Sequence, residues 1–557
     1  MHRLLTIILL IVFPILLQHE GLAGVTDSHS IRDHLKKRIE LKKNQNKFSC
    51  RGELICGASL IPKFYQQRGF SPAWIGKEGI LPQARSLVAE IDRADHEGLR
   101  PDDYHRANIV SLVKKIDEKQ AAGETVDAQI WVDLDLLLTD AFMLYSSHLF
   151  AGRVNPETIH TDWVVVNPRA DLTDLLGSAL NSNQISKALR DLQPIHSGYF
   201  ELKQSLAQYR DMAKKDDRPP LSSGTNLRKE DRGISVQRLR ERLVILGDLE
   251  DTEKDPVDFF DDATELAVMG FQKRHGLKSD GMVGPHTLEM LNIPIKQRVR
   301  QIELNMERCR WIPRDLGDRY ILVNIADFKL SVIENLHRML EMRVVVGRPY
   351  RRTPVFSAKM TYMVINPYWN IPTSLVFKDL LPKIQKNPNY LAQQGIKVFE
   401  GWRKGAPEID PGTVDWKKIE HQNFPYKFRQ DPGSRNALGR IKFIFPNRFA
   451  VYLHDTPDRS HFNETHRDFS SGCIRTEKPV DLARYLLGND DQWPEERLSA
   501  AIEAGETTVI ELQRPILVHL QYWTAWVDEN GRLNFRNDIY DRDRRLDQAL
   551  KERIPGV

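Results

Sequence analysis

The chain has 557 residues, too many for a single hydrophobic core, so we expect three or more domains. With 41% hydrophobic and 28% charged residues, its composition is that of a globular protein. The formal net charge of +4 is small for this length, and no long stripe of lysine and arginine stands out. Charge and composition therefore argue against nucleic acid as a partner.

The N-terminus has the pattern of an export signal. Leu4 to Leu17 is nearly all apolar, follows Arg3, and is shorter than the roughly 20 residues that a membrane-spanning helix needs. Small residues then follow at Gly21 and Ala23. We expect residues 1–23 to be a cleaved signal peptide, with an uncleaved membrane anchor as the alternative. Either way the protein is expected to face outside the cytoplasmic membrane, in the periplasm.

The next two regions are predicted to be a helical domain and a linker. Residues 54–211 have apolar residues at helical spacing, and Leu134 to Phe142 is one strong amphipathic run. We expect a helical scaffold domain there. Residues 212–233 are charged and contain Pro219-Pro220, which favours a linker.

Residues 234–293 predict a small all-α module. Val236, Leu239 and Leu243 fall on one helical face, and a second helix runs through Phe271-Gln272. A turn follows at Asp280-Gly281-Met282-Val283-Gly284. For Asp280 and these glycines individually, turn chemistry is the favoured interpretation, because glycine accepts positive φ and aspartate caps the backbone.

Residues 318–520 predict a β-rich domain, followed by a C-terminal extension over 521–557. Strands are indicated at Tyr320–Ile325, Met342–Gly347, Lys442–Phe445 and Phe449–His454, and a helix at Pro479–Leu487. Between residues 374 and 436 the strand pattern gives way to a helix and a stretch rich in glycine, proline, tryptophan and charge. We interpret 374–436 as an insertion that caps a site, with surface decoration as the alternative. The overall class is multidomain α+β.

The segment Ser470-Ser471-Gly472-Cys473-Ile474-Arg475 carries the clearest chemical signal. A cysteine with an arginine two residues further on and a histidine within reach can be an activated thiol, because nearby cations lower the pKa of the thiol. His454 is distant in sequence and is the candidate partner. Gly472 permits a tight turn that brings backbone N–H groups toward a substrate oxygen.

The other three cysteines have different settings. Cys50 and Cys56 lie close together and could pair in an oxidising compartment, a question that the sequence leaves open. Cys309 is predicted to be a buried helix residue. No cysteine or histidine cluster has metal-ligand spacing, so we expect neither metal nor cofactor.

His454, followed after fifteen residues by Ser470–Arg475, resembles the active-site signature of L,D-transpeptidases with a YkuD-type catalytic domain. Ser471 stands where the commonest form of that signature has a second histidine. Further segments are similar to the large multidomain Gram-negative members of the family, namely Val346–Pro354, Asn366–Pro372, Asn436–Arg440 and Tyr522–Asp528. The 234–293 module resembles the helical peptidoglycan-binding module found beside many wall enzymes.

This resemblance implies acyl transfer on peptidoglycan during cell-wall biogenesis, which contributes to cell shape. Cys473 would be the nucleophile and His454 the base, held by a backbone carbonyl in the absence of an evident triad carboxylate. The Gly472 and Cys473 amides would bind the oxyanion. The implied substrate-binding residues are Arg475, Tyr452, Ser470, Ser471 and Trp369, although a structural salt bridge suits Arg475 equally well.

The implied partners are a donor tetrapeptide stem and an acceptor stem, joined in a 3→3 cross-link through a cysteine thioester. Other cell-wall synthesis enzymes could also be partners. Two alternatives remain open at this point. The same site could act as an L,D-carboxypeptidase or cross-link hydrolase if water resolves the thioester, or the chain could be a non-catalytic wall-binding scaffold.

Overall fold

The computed structural model describes residues 28–42, 48–165, 170–216, 219–222, 224, 226–250, 257–420, 424–488 and 490–552. The predicted signal peptide, residues 1–23, lies outside the described residues. Within them, no helix combines the length and apolar character needed to cross a membrane. The predicted multidomain α+β class is confirmed, since a helical N-terminal part and a helical module precede a β-rich domain.

The N-terminal part is built of nine helices and two small hairpins in the described residues. The helices are α1 Ser28–Lys42, α2 Ile61–Gln67, α3 Pro82–Asp92, α4 Arg106–Ala121, α5 Ala128–Ala151, α6 Pro156–Ile159, α7 Leu172–Ser182, α8 Ile185–Leu192 and α9 Ser197–Lys215. The hairpins pair β1 Phe48–Cys50 with β2 Glu53–Ile55, and β3 Ile75–Gly76 with β4 Gly79–Ile80. Short 3₁₀ turns lie at Ala94–Glu97 and Pro101–Tyr104.

Helix α5 is the centre of this domain, and the expectation of an amphipathic helix is wrong. Its polar residues Asp135 and Asp140 are fully buried. Asp135 accepts hydrogen bonds from the Ala73 and Trp74 amides, and Asp140 accepts them from the Cys56 and Gly57 amides. These carboxylates thus hold loops of the domain against its central helix, because buried polar groups need partners.

The structure holds Cys50 and Cys56 as thiols. The Cys50 thiol lies 3.5 Å from the Asp133 carboxylate, and the Cys56 thiol lies 3.8 Å from the Leu54 carbonyl oxygen. Burial raises the pKa of Cys50 to about 12. The pairing left open by the sequence is thus not seen in the structure. Cys309 is buried at the end of a helix, as expected.

The small module contains α10 Ile234–Ile245, α11 Asp262–Arg274 and α12 Pro285–Leu291, followed by the connecting helix α13 Ile295–Cys309. The Gln272 side chain is buried and donates hydrogen bonds to Asp280, to the Met282 carbonyl and to Thr287. Asp280 also accepts from the Met282 amide, and Gly281 has φ +74°. These residues hold the fold of the module, in agreement with the turn interpretation.

The β-rich domain is a closed barrel in the order β13-β14-β15-β7-β6-β5-β16-β8. Its strands are β5 Arg319–Asn324, β6 Lys329–Glu334, β7 His337–Val345, β8 Phe356–Ile365, β13 Ile441–Ile444, β14 Leu453–His454, β15 Ile474–Thr476 and β16 Thr508–Gln521. Helices α17 Pro479–Leu487 and α18 Glu495–Ala504 pack on the barrel. The strand expected from Phe449 begins only at Leu453, because Ala450 has a left-handed φ of +53°.

The insertion forms a subdomain with its own core, which we call the cap. Its sheet has the order β11-β10-β12-β9, from β9 Trp369–Ile371, β10 Ile396–Glu400, β11 Glu408–Ile409 and β12 Tyr426–Gln430. Its helices are α14 Thr373–Leu375, a π-helical turn at Val376–Leu380, α15 Leu381–Lys386 and α16 Tyr390–Gln393. A buried cluster around Val398 and Phe428 fills the space between helices and sheet. The sheet begins at Trp369, five residues before the predicted start of the insertion.

The C-terminal segment packs back on the rest of the molecule. It contains the hairpin of β17 Ala525–Val527 and β18 Leu533–Phe535, and helix α19 Arg542–Lys551. Tyr522 and Tyr540 are buried in the same cluster as the barrel core. Phe535 instead packs among residues of α9 and α13. This segment therefore connects the barrel to the helical part.

Candidate active site

Three neighbouring barrel strands place the candidate catalytic side chains on one face. Strand β14 runs parallel to β15, with Leu453 opposite Ile474 and His454 opposite Arg475. Strand β13 runs antiparallel to β14 and sets Lys442 opposite His454. Leu453 and Ile474 are fully buried in the barrel core. Because side chains alternate along a strand, His454, Arg475 and Lys442 share the outer face.

Tyr452 lies at the centre of this face. Its ring centroid is 5.6 Å from that of His454 and 3.8 Å from Lys442 Nζ. Its carbonyl accepts the Ile474 amide at 3.1 Å, which continues the strand pairing and brings Cys473 beside Tyr452. The Cys473 thiol lies 3.9 Å from the Ala450 carbonyl oxygen, and Tyr452 lowers the pKa of that thiol. The structure thus brings Tyr452, one of the residues implied by the resemblance, to the thiol.

The thiol and the imidazole are both neutral at neutral pH. Burial raises the pKa of Cys473, an effect opposed by the hydrogen bonds from Tyr452 and by the positive charge of Lys442. Burial, together with Arg475, lowers the pKa of His454 to about 3. The resting site therefore holds a thiol and a neutral base rather than an ion pair.

His454 is oriented by backbone. Its Nδ1 lies 2.5 Å from the Asp455 carbonyl oxygen, the kind of support expected when no carboxylate completes a triad. The Asp455 carboxylate serves elsewhere, since it accepts the Arg440 amide at 2.8 Å and pairs with Arg459 at 3.2 Å. A hydrogen bond at Nδ1 fixes the ring orientation and leaves Nε2 for proton transfer.

Lys442 is a further candidate residue of this site, and the sequence did not predict it. It is partly buried, and burial lowers the pKa of its ammonium group while the nearby Cys473 opposes that shift. The alternation in Ile441-Lys442-Phe443 indicated that Lys442 leaves the core face. Nothing in the sequence indicated that Lys442 would be opposite His454, because strand register is a tertiary property.

The loop before Cys473 is held by the segment that follows β7. Gly347 pairs with Ser470, and Thr353 Oγ1 donates to the Gly472 carbonyl at 2.9 Å while accepting the Gly347 amide at 2.9 Å. A Cβ at Gly347 would lie 2.1 Å from a backbone oxygen, so only glycine fits. The Tyr540 hydroxyl donates to the Gly347 carbonyl and accepts the Thr353 amide at 3.2 Å.

Ser470 and Gly472 have structural contacts that differ from the roles expected for them. Ser470 Oγ donates to the Cys473 carbonyl at 2.6 Å and accepts the Gly472 amide at 3.1 Å. The role of the Gly472 N–H in binding an oxyanion stays a prediction, and in this structure that N–H donates to Ser470 Oγ. The Cys473 amide has no acceptor among the residues that the structure describes, and it is the remaining backbone donor of the pair.

Ser471 and Arg475 face solvent-accessible parts of the site. Ser471 is exposed, and its Oγ accepts a hydrogen bond from Arg351 at 2.9 Å. Arg351 also pairs with Asp379 of the cap. Arg475 Nη1 lies 3.5 Å from His461 Nδ1, and burial lowers the pKa of Arg475. In the described residues Arg475 has no carboxylate within ion-pair distance, so the structure gives no salt bridge for it.

Trp369 lies on the cap sheet, where it pairs with Gln430 and packs on the cap core. Its role in substrate binding stays a prediction. Its neighbour Tyr368 is 45% exposed, which excludes a core position for Tyr368. Within the described residues, no three His, Cys, Asp or Glu side chains are grouped to hold a metal ion.

Comparison with known families matches three parts of the chain. Residues 318–510 match the "L,D-transpeptidase catalytic domain" of YkuD type, residues 59–206 match a "Scaffold domain", and residues 232–291 match a "Putative peptidoglycan binding domain". The first of these ranges contains Lys442, His454 and Cys473.

The chain is also similar to individual proteins. It is 39% identical over 250 residues to a "Putative L,D-transpeptidase" of Haemophilus influenzae, covering 45% of this chain and 49% of the relative. The chain thus spans about half the length of that relative. An L,D-transpeptidase structure from Stackebrandtia nassauensis is 14% identical, with a TM-score of 0.22, covering 55% of this chain and 97% of that one. One from Xylanimonas cellulosilytica is 16% identical, with a TM-score of 0.18, covering 55% and 100%.

The family matches, the barrel, and the placement of Cys473 beside Tyr452 and near His454 agree with the motif found in the sequence. The chain thus matches the YkuD-type L,D-transpeptidase catalytic domain over residues 318–510, together with a scaffold domain and a peptidoglycan-binding domain in the residues before it.

Proposed function

We propose that this protein is a peptidoglycan L,D-transpeptidase that forms 3→3 cross-links through a thioester on Cys473. The observation that carries the proposal is the shared outer face of β13, β14 and β15, where Cys473 lies with Tyr452, His454 and Lys442. A nucleophile, a neutral base and a cation on one rigid sheet are what acyl transfer needs.

In the first step the Cys473 sulfur attacks the carbonyl carbon of an L,D-peptide bond, between the third stem residue and D-alanine. The thiol proton passes to His454, which is neutral and can therefore accept it. The carbon–nitrogen bond then breaks, and His454 returns the proton to the leaving D-alanine amine. The products of this step are a thioester on Cys473 and free D-alanine.

Two groups support the charge that develops on sulfur. Tyr452 and Lys442 both lower the pKa of the Cys473 thiol, and the Lys442 ammonium lies against the Tyr452 ring. Both matter because burial alone disfavours a thiolate at this position. The Cys473 amide is the backbone donor that supports the oxyanion of the tetrahedral intermediate.

In the second step the side-chain amine of an acceptor stem attacks the thioester carbon and gives a proton to His454. The carbon–sulfur bond then breaks, and His454 returns the proton to the Cys473 sulfur, which leaves as a thiol. Water in place of the amine would give an L,D-carboxypeptidase or a cross-link hydrolase. The proposed setting is outside the cytoplasmic membrane, after export by residues 1–23, because peptidoglycan lies there.

The test is mass spectrometry of purified muropeptides incubated with the enzyme, with Cys473→Ala as the control. Transpeptidation predicts a new dimer with a 3→3 bond together with released D-alanine. Tripeptide without dimer would assign the carboxypeptidase alternative. If the muropeptides do not change and a carbapenem-type β-lactam does not acylate Cys473, the remaining alternative is a non-catalytic wall-binding scaffold.

A further inference from the structure

One face of the cap sheet carries a row of alternating aromatic and cationic side chains, which we call the cap ridge. Its members in order are Trp402, Lys427, Phe399, Arg429 and Tyr368. Lys427 Nζ lies 5.8 Å from the Trp402 ring centroid, and Lys427 is directly opposite Phe399 in the strand register. The Arg429 guanidinium carbon lies 4.5 Å from the Phe399 ring centroid and 4.6 Å from that of Tyr368.

The cap ridge faces away from the core of the cap. Phe428, between Lys427 and Arg429 on β12, is fully buried in that core, so its two neighbours point to the opposite face of the sheet. Trp402 is 53% exposed and Tyr368 is 45% exposed. Large aromatic side chains kept in solvent and grouped with cations mark a binding surface rather than a folding requirement.

The cap also holds an excess of positive charge. Residues 374–436 contain 11 lysines and arginines against 7 aspartates and glutamates, an excess of four that equals the net charge of the whole chain. Asp431 pairs with both Arg429 and Lys397. In the described residues Lys427 has no carboxylate within ion-pair distance, and its ammonium is directed only at Trp402. The ridge thus suits a partner that has both apolar faces and carboxylates.

We propose that the cap ridge binds a peptidoglycan strand, with the flat faces of its sugar rings on Trp402 and Tyr368 and its stem-peptide carboxylates at Lys427 and Arg429. Aromatic rings provide broad apolar contact, and cations in the same row add attraction to an anionic polymer. This inference rests on the proposed function, since it locates the polymer to which the reacting stems are attached. Holding that polymer raises the effective concentration of stems at Cys473.

The motif residues of the small module do not offer this combination. Gln272 and Asp280 are used inside the module, where Gln272 donates to Asp280 at 3.0 Å and to two further acceptors. The polar groups of Gln272 and Asp280 thus stabilise the turn that follows α11. The cap ridge instead presents Trp402 and Tyr368 to solvent, 53% and 45% exposed.

The experiment measures co-sedimentation of the full-length chain with purified peptidoglycan sacculi. Cys473→Ala is present in every protein, so that no turnover occurs. Trp402→Ala combined with Lys427→Ala removes one aromatic and one cation of the ridge. Lys418→Ala is the matched control in the same subdomain, because the Lys418 side chain is 85% exposed and pairs with the exposed Asp415. We expect about tenfold weaker binding for the ridge variant and unchanged binding for the control.

A second measurement separates loss of the ridge from loss of the fold and from failure of the proposed function. With Cys473 intact, the ridge variant should be acylated by a small carbapenem at the wild-type rate. If the ridge variant sediments as much as the Lys418→Ala control, the proposal that the cap ridge binds peptidoglycan is wrong, whatever muropeptide analysis shows about cross-linking. The proposal would also be overturned if the variant lost acylation and sedimentation together, because the effect would then be on folding.

Discussion

The guanidinium of Arg351 donates a hydrogen bond to Ser471 Oγ at 2.9 Å, in the loop that presents the nucleophilic cysteine. The same guanidinium forms an ion pair with Asp379, with Nη2 2.6 Å from a carboxylate oxygen. Asp379 belongs to the π-helical turn of the cap. The cap is therefore connected to the cysteine loop through one side chain, and Ser471, where the commonest form of the signature has histidine, is the contact point.

Asp379→Asn should uncouple the cap from the cysteine loop. The change removes the charge partner of Arg351 while keeping the shape of the side chain, and Arg351 holds the pKa of Asp379 below its usual range. We expect 3→3 dimer formation to fall several-fold and carbapenem acylation to change less than about twofold, because an extended stem needs the cap and a small reagent does not. Asp415→Asn, paired with the exposed Lys418, is the control within the cap. Equal loss of both activities would show a folding defect instead.

Cys473→Ala and Cys473→Ser should each abolish cross-link formation and acylation while the circular dichroism spectrum stays unchanged. A serine hydroxyl with one histidine as helper is a much weaker nucleophile than a thiolate. Intact-protein mass spectrometry after carbapenem treatment measures the loss directly. Dimer formation by Cys473→Ala would contradict the central assignment.

His454→Ala should slow acylation by about 10²-fold or more, because no other base in the described residues is placed beside Tyr452 on the barrel face. Ser471→His should be tolerated, since Ser471 is exposed and histidine there restores the commoner motif. Stopped-flow measurement of carbapenem acylation compares both variants with the wild type. If His454→Ala keeps near-normal acylation, His461, which lies 3.5 Å from Arg475, becomes the base to test.

Lys442→Met should move the pH profile of cysteine alkylation to higher pH. The pKa of Cys473 is already raised by burial, and Lys442 opposes that shift. Removing the cation raises the thiol pKa further, so less thiolate exists at a given pH and iodoacetamide reacts more slowly. Lys359→Met is a matched control, because Lys359 is an exposed lysine on strand β8. Identical pH profiles for both variants would show that Lys442 does not influence the pKa of Cys473.

His160→Phe should stabilise the protein more at pH 5 than at pH 7.5. Burial lowers the pKa of His160 to about 3, and neither ring nitrogen has a hydrogen-bond partner among the described residues. Between about pH 6.5 and pH 3 the unfolded chain binds a proton that the folded chain does not, so the histidine weakens folding as pH falls. The penalty at pH 5 is about 2 kcal/mol. Urea denaturation of both proteins at both pH values checks it, and an equal difference at the two pH values would contradict it.

The elements that the sequence predicted well are those whose signal is local. The helix Pro479–Leu487 has the bounds expected from its proline start and apolar spacing, and Gly472 takes the positive φ of +118° that its position in a turn suggested. The orientation of His454 by a backbone carbonyl was expected, because the sequence places no carboxylate on the same strand face. These features depend on a few adjacent residues.

The features that the sequence could not predict depend on strand register and on contacts between residues that are far apart in the chain. Lys442 reaches the site because β13 pairs with β14 at one particular offset, and a shift of one residue would turn it into the core. The burial of Asp135 inside α5 depends on the amides of Ala73 and Trp74, which lie far away in the chain. Likewise, the Gly472 amide is occupied by the hydroxyl of Ser470, a contact that only the loop conformation reveals.

The contact of Tyr540 with Gly347 has a consequence for when the thiol becomes reactive. The segment of Gly347 to Thr353 supports the cysteine loop, and it is itself held by a tyrosine that follows the whole barrel in the chain. During synthesis, His454 and Cys473 leave the ribosome before Tyr540 does. A nascent chain would thus contain His454 and Cys473 before the contacts that support the cysteine loop can form, so that support is complete only after the chain has been made as far as Tyr540.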